Sequence, residues 1–122
     1  MRSALGFAEV RAVALGFPEV EATRRYDGSP VLEAGGCFMA GLATHESAEP
    51  ESVVVRIDPE QRRYLLEEAP DIYYLTDPYG KCPVVLVRLG SLGRDALRDL
   101  LAMAWRATMA KTGKSRPKAS RI

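Results

Sequence analysis

Basic side chains carry the clearest chemical signal in this sequence. Residues 111–122 hold five Lys or Arg and no acid, whereas residues 1–110 hold 12 basic and 16 acidic side chains, a net charge of −4. Clustered cations bind the phosphates of nucleic acids. The candidate phosphate contacts lie in predicted turns, in one strand and in the C-terminal tail: Arg24, Arg25, Arg56, Lys81, Lys111, Lys114 and Arg116. The alternative is scattered charge on an acidic surface.

Two tyrosines lie beside these candidate contacts. Tyr26 follows Arg25, and Tyr79 precedes Lys81 by two residues, so both suit stacking with unpaired bases. A dedicated nucleic-acid domain usually has a basic body, and this body is acidic. This acidity counts against strong DNA binding by the body alone. The sequence predicts instead that turn tips and the basic tail contact phosphates without reading the base sequence.

A second candidate site lies where a predicted strand ends. Thr76, Asp77 and Tyr79 form a polar group there, and Arg88 interrupts a later apolar strand. These side chains could bind a small ligand or a protein, with Arg88 contacting an anion. In the alternative, Thr76 and Asp77 bond to the backbone of a turn. Arg88 would then point outward or pair with an acid such as Asp77 or Glu33.

The residues that catalysis or metal binding require are sparse. His45 is the only histidine and lies in an acidic loop, so no Ser-His-Asp set can be assembled around it. Four acids could form a weak carboxylate site: Glu60, Glu67, Glu68 and Asp71. Arg62 and Arg63 interleave with them, which favours a solvated helix face instead. We therefore expect a non-enzymatic binding module without a metal or cofactor.

Cysteine content and hydropathy indicate the cellular environment. Cys37 and Cys82 form no CxxC pair and are too few for a disulfide framework. The N-terminal residues show no signal-peptide pattern, because Glu9 interrupts the apolar run. The longest stretch without Asp, Glu, Lys or Arg has twelve residues, 34–45, which is too short to span a membrane. A reducing cytoplasm is the expected location.

Three helices are predicted to position these candidate residues. Apolar residues recur at helical spacing over residues 7–15, before Gly16 and Pro18. Asp58 and Pro59 form a strong start signal, because Asp caps free amides and Pro fits the first helical position. The last helix is predicted over residues 94–108, with Leu97, Leu100, Leu101, Ala104 and Trp105 on one face.

Strand signals occupy most of the remaining chain. Gly35 and Gly36 between two apolar runs predict a tight hairpin of residues 31–34 and 37–42. Further strands are predicted at residues 52–57, 72–75 and 83–89, the last of them central. A short strand is also predicted at residues 23–26, and a turn at residues 76–80. Because βα units do not alternate, the pattern predicts an α+β fold. We expect a mainly antiparallel sheet of about five strands with helices on one face.

The same chain resembles the MmcQ/YjbR family over roughly residues 7–108. The matching segments are the helix ending at Phe17-Pro18, Gly35-Gly36 with Phe38, and residues 55–60, 73–79, 83–89, 97–101 and 104–105. The resemblance implies a frataxin-like (CyaY-like) two-layer sandwich. It also implies double-stranded DNA as the partner, bound by a double-wing arrangement of β-hairpins. We expect one domain over residues 1–110, a frayed tail over 111–122, and a monomer or weak dimer.

Overall fold

Six antiparallel strands form one sheet in the computed structural model, which describes residues 6–112 of the chain. Their order in the sheet is β1-β2-β3-β4-β6-β5. The strands are β1 (Val20–Arg24), β2 (Pro30–Ala34), β3 (Cys37–Leu42), β4 (Ser52–Arg56), β5 (Tyr73–Tyr74) and β6 (Val84–Arg88). The predicted α+β class and antiparallel sheet are confirmed, with six strands rather than about five.

Four helices accompany the sheet: α1 (Phe7–Ala14), α2 (Pro59–Glu68), α3 (Asp77–Gly80) and α4 (Arg94–Thr112). Helix α4 packs across β2, β3 and β4, α1 packs against α4, and α2 contacts β5 and β6. These three helices cover one face, as predicted. The short helix α3 lies against the other face, where Tyr79 packs on Val54, Val84 and Leu86. No helix within residues 6–112 is both long and apolar enough to cross a membrane.

The main core lies between the sheet and the three long helices. Along β4, Val53 and Val55 join this core, whereas Val54 faces the opposite side. Leu97 and Leu101 of α4 are 1% and 0% exposed and supply the helical half. Complete burial of such a side chain contributes about 1.5–3 kcal/mol. Alternating strand positions therefore separate the helix-covered face from a second, smaller apolar cluster.

Local sequence signals explain where several elements begin and turn. Gly35 and Gly36 have φ values of 60° and 85°, so the predicted hairpin turn is confirmed. The Asp58 carboxylate accepts a 3.0 Å hydrogen bond from the Glu60 amide and caps α2, as predicted.

Other boundaries differ from the prediction. Strand β1 ends at Arg24 because the chain turns immediately afterwards, with the Arg25 amide bonded to the Ser29 carbonyl. Strand β6, predicted to be central, lies fifth in the sheet beside the two-residue edge strand β5. Helix α4 continues past Thr108 to Thr112 and includes Lys111, so the predicted tail overlaps the helix. The remainder of that tail lies outside the described residues.

Candidate functional site

The sheet face opposite α1, α2 and α4, called here the open face, carries a cleft at one end. The cleft has a volume of about 440 Å³. Three basic side chains line it: Arg25, Arg56 and Lys111. Its remaining lining is apolar, aromatic or thiol in character: Phe38, Val54, Tyr79, Cys82, Pro83 and Val84. We call this set of nine residues the cationic cleft.

A β-bulge places Phe38 in the cationic cleft. Leu32 pairs with Ala40, but the next residue, Glu33, pairs with Phe38, so Met39 is an extra residue in β3. Met39 and Ala40 consequently both join the main core, and Phe38 packs with the cluster on the open face. In a regular strand Phe38 would share a face with Ala40. The bulge therefore supplies the aromatic lining of the cleft.

Arg25 reaches across the sheet from the β1–β2 turn. Its Nη1 donates to the Ser29 hydroxyl at 2.9 Å and to the Leu42 carbonyl at 2.8 Å. A Cβ on Gly41 would lie 2.9 Å from Arg25 Nη2, so the absence of a side chain at Gly41 lets the guanidinium approach this closely. Nearby Asp27 accepts hydrogen bonds from Ser29, and these bonds, more than the charge of Arg25, lower the pKa of Asp27.

Arg56 and Lys111 complete the basic rim. Arg56 Nε donates to the Phe38 carbonyl at 2.8 Å, which fixes the side chain beside the aromatic ring. Lys111 is exposed in the last turn of α4, where the helix dipole favours a positive charge. Within residues 6–112 the single salt bridge joins Arg88 and Glu49, so no carboxylate among them pairs with a cleft cation.

This arrangement suits an anion attached to a flat apolar group. Arg binds phosphate and carboxylate oxygens through two parallel hydrogen bonds, and Lys contributes a compact charge. The apolar lining can cover a ring or another uncharged body. The cleft lining contains no acid, although acids outnumber bases in residues 1–110 by 16 to 12. The charged side chains in the described lining of the cleft are therefore all positive.

The other predicted phosphate contacts are not in the cleft. Arg24 lines a groove with Phe7 and Arg11, and its Nη1 donates to the Gly28 carbonyl at 2.7 Å. Lys81 is exposed at the end of α3, next to the cleft residue Cys82. Lys114 and Arg116 lie outside the described residues. The structure therefore brings together Arg25, Arg56 and Lys111 from the predicted set.

Arg88 forms a different constellation at the opposite end of the open face. Its Nε and Nη2 each donate at 2.8 Å to Glu49, and Nη1 donates to the carbonyls of Pro70 and Asp71. The guanidinium carbon lies 4.3 Å from the centre of the Tyr74 ring. The hydrogen bonds from Arg88 lower the pKa of Glu49. The acidic partner is thus Glu49, neither of the two acids that the sequence suggested.

These contacts fasten the segment of residues 43–51, called here the clamped loop, to the sheet. The Tyr74 hydroxyl accepts from the Glu49 amide at 2.7 Å and bonds to the Ser52 hydroxyl at 2.6 Å. The Tyr79 hydroxyl accepts from the His45 amide at 3.1 Å. The hydroxyls of Thr76 and Ser47 form a further hydrogen bond of 2.8 Å between this loop and the rest of the protein.

The predicted ligand set is divided by this arrangement. Thr76 and Arg88 hold the clamped loop, Asp77 is exposed in α3, and Tyr79 both holds the loop and lines the cleft. Ligand binding by Thr76, Asp77 and Arg88 stays a prediction.

Sequence reasoning missed part of the cleft. Phe38 reads as a core residue, and Cys82 and Pro83 show no binding pattern. Gly41 inside an apolar strand is the one available signal, since glycine there indicates a close approach of another group. Cys37 and Cys82 are free thiols. The described part of the chain contains no cluster of three His, Cys, Asp or Glu that could hold a metal ion.

Comparison with known proteins places the fold in a known class. No protein-family model matches the chain, and no curated protein sequence matches it. The crystal structure of Deinococcus radiodurans protein DR2400, which contains a DUF419 domain, aligns with a TM-score of 0.66 and 22% identity. The alignment covers 95% of this chain and 85% of that one. The two proteins therefore share their fold over nearly the whole chain.

Proposed function

We propose that this protein is a non-enzymatic, cytoplasmic DNA-binding module of the MmcQ/YjbR type, with Arg25, Arg56 and Lys111 as its central phosphate contacts. The observation that carries the proposal is the convergence of these three cations on one cleft whose described lining residues include no carboxylate. The resemblance to the family supports the same function, and the structural neighbour with a DUF419 domain supports the fold.

The energetics of phosphate contacts favour this use of the cleft. Each neutralised phosphate releases condensed counterions, so the logarithm of affinity falls with the logarithm of salt by roughly 0.9 per contact on duplex DNA. Cations already paired with carboxylates supply little of this free energy. Arg88 is paired in this way, whereas the three cleft cations form no salt bridge with the described residues 6–112. Lys81 precedes the cleft residue Cys82 in the sequence, so we propose that it extends the phosphate-binding surface of the cleft.

A salt titration tests the proposal. A labelled mixed-sequence DNA is titrated with the full chain and with the Arg25→Gln, Arg56→Gln, Lys111→Gln triple variant. Loss of three contacts reduces the salt slope by roughly 2–3 and the affinity by more than about tenfold at moderate salt. The matched control neutralises three exposed arginines elsewhere: Arg63, Arg94 and Arg98. Equal losses in both variants, or no binding by the full chain at low salt, overturn the proposal.

The basic tail is tested separately. Lys114 and Arg116 are proposed as additional phosphate contacts, so removal of residues 113–122 reduces the salt slope while the cleft retains binding. Complete loss of binding on truncation would assign the interaction to the tail and remove the cleft from the proposal.

A second candidate function is binding of a small anionic ligand in the same cleft. Its volume of about 440 Å³ lies within the range that holds small molecules. Thermal-shift screening with organic phosphates and carboxylates tests this function. A compound that raises the melting temperature of the wild type, but not of the triple variant, supports it over DNA.

A further inference from the structure

The cationic cleft has a lining that a duplex does not require. A double helix presents phosphates to a protein and keeps its bases stacked inside, so cations alone are enough to hold it. Here the cations surround an apolar floor that includes Phe38, Tyr79 and Pro83. No protein segment among the described residues fills this 440 Å³ space.

We infer that the cationic cleft receives one unpaired base, with the adjoining phosphates held by Arg25, Arg56 and Lys111, so that the protein prefers single-stranded DNA. This inference rests on the proposed function and specifies its ligand. An unpaired base has an apolar face that gains by leaving water, and aromatic side chains bind such faces with little regard to base identity. The adjacent backbone carries the negative charge that complements the three cations.

The two ends of the open face explain why the base would enter here. At the Arg88 end, the clamped loop lies over Tyr74, whose hydroxyl bonds to Ser52 and Glu49. At the cleft end the clamped loop reaches only as far as Tyr79, and no other part of residues 6–112 covers the apolar lining beyond it. Uncovered apolar surface between charged side chains is typical of a binding surface.

Tyr26 provides a third aromatic group, next in sequence to the phosphate contact Arg25. It follows Arg25 in the β1–β2 turn and its side chain is fully exposed, at 103% of the reference area. An aromatic ring with this exposure gains most from a partner that covers it. We therefore include Tyr26 as the contact for a neighbouring base of the same strand.

Three DNA probes at one salt concentration test the inference with the full-length protein. They are a labelled single strand of mixed sequence, the duplex of that sequence, and a single strand of abasic residues with the same number of phosphates. We expect the normal single strand to bind about tenfold more tightly than either of the others, because only it offers bases for stacking.

Tyr79 variants separate the aromatic contact from the loop contact. Tyr79→Phe removes the hydroxyl that holds the His45 amide but keeps the ring, so it retains the preference for the single strand. Tyr79→Leu removes the ring and lowers affinity for the normal single strand by about tenfold, but not for the abasic strand. Phe38→Leu and Tyr26→Ser provide the same readout at the other aromatic positions, should Tyr79→Leu fail to fold.

The outcomes distinguish this inference from the function on which it rests. Equal affinity for all three probes, with a steep salt slope, overturns the inference and leaves the phosphate-binding function intact. Tighter binding of the duplex overturns it as well. Failure of every probe to bind at low salt removes both. A single-strand preference that persists in all three aromatic variants contradicts the assignment of the base to this cleft.

Discussion

Two arginines on the open face lie at opposite ends of the same pair of strands and have opposite surroundings. Arg56 pairs with Val84 in the β4–β6 ladder, and Arg88 pairs with Ser52 at the other end. Arg88 donates to both carboxylate oxygens of Glu49 and to two carbonyls. Arg56 donates through Nε to the Phe38 carbonyl. Arg56 also lines the cationic cleft, whose nine described lining residues include no acid.

This difference distinguishes a cation that is paired within the protein, Arg88, from cations whose donors can bind a ligand. The clamped loop covers one end of the open face and brings Glu49 to Arg88, so the charge there is neutralised within the protein. At the other end, no segment within residues 6–112 covers Arg25, Arg56 and Lys111 in this way. A side chain with a complete set of internal partners contributes to stability, and one without such partners retains its donors for binding.

The Gly41→Ala substitution is expected to have the largest effect. The new Cβ would lie 2.9 Å from Arg25 Nη2 and 3.2 Å from the Phe38 ring, so the Arg25 guanidinium and the Phe38 ring must both shift within the cleft. Overpacking of this kind costs about 1–3 kcal/mol, which denaturant unfolding measures, and DNA affinity falls with it. Gly80→Ala is the control, because no atom lies within 4 Å of its added Cβ. An unchanged affinity in Gly41→Ala would show that Arg25 contributes nothing from this position.

Arg56→Gln tests the cleft end of the comparison with one change. Loss of one charge-assisted phosphate contact corresponds to about 1.4 kcal/mol, or roughly a tenfold weaker binding of DNA. Arg56 makes no salt bridge within the described residues and one hydrogen bond, to the Phe38 carbonyl, so the unfolding midpoint falls less than in Arg88→Gln. A large loss of stability without loss of affinity would place Arg56 in the same structural class as Arg88.

Arg88→Gln tests the other end and is expected to give the reverse result. The clamped loop loses its ion pair with Glu49 and two carbonyl contacts, so the melting temperature falls. DNA affinity stays unchanged, because the cationic cleft does not include Arg88. Binding and melting curves on the same preparation decide the point. A fall in affinity with unchanged melting would restore Arg88 as a ligand contact.

The smallest expected effect is a pH dependence of the clamped loop. Arg88 lowers the pKa of Glu49 below its ordinary value of 4.5, so the folded state binds this proton less readily than the unfolded state. The ion pair therefore contributes its full stability above pH 4.5, and the contribution is lost as pH falls through the lowered pKa. The stability difference between wild type and Glu49→Gln should close over that acidic range. A difference that stays constant with pH contradicts this account.

Local sequence signals determined a large part of the fold. Adjacent glycines 35 and 36 specify the hairpin turn because both positions require positive φ. Asp58 and Pro59 specify the start of α2 through backbone amide capping. The order of helices and strands then excludes a doubly wound parallel sheet and leads to the α+β class. These features depend on interactions between residues close in the chain.

The site depended on contacts that the chain order does not contain. The bulge at Met39 turned Phe38 to the open face, because strand register follows from pairing and core packing. Glu49 and Arg88 bond to each other although they lie 39 positions apart in the sequence. The cationic cleft forms because a hairpin turn, a strand end and the last turn of α4 lie at one end of the sheet, which places Arg25, Arg56 and Lys111 in one lining. The sequence determined which charges exist, and only the tertiary structure decided which were neutralised, since pairing requires proximity in space.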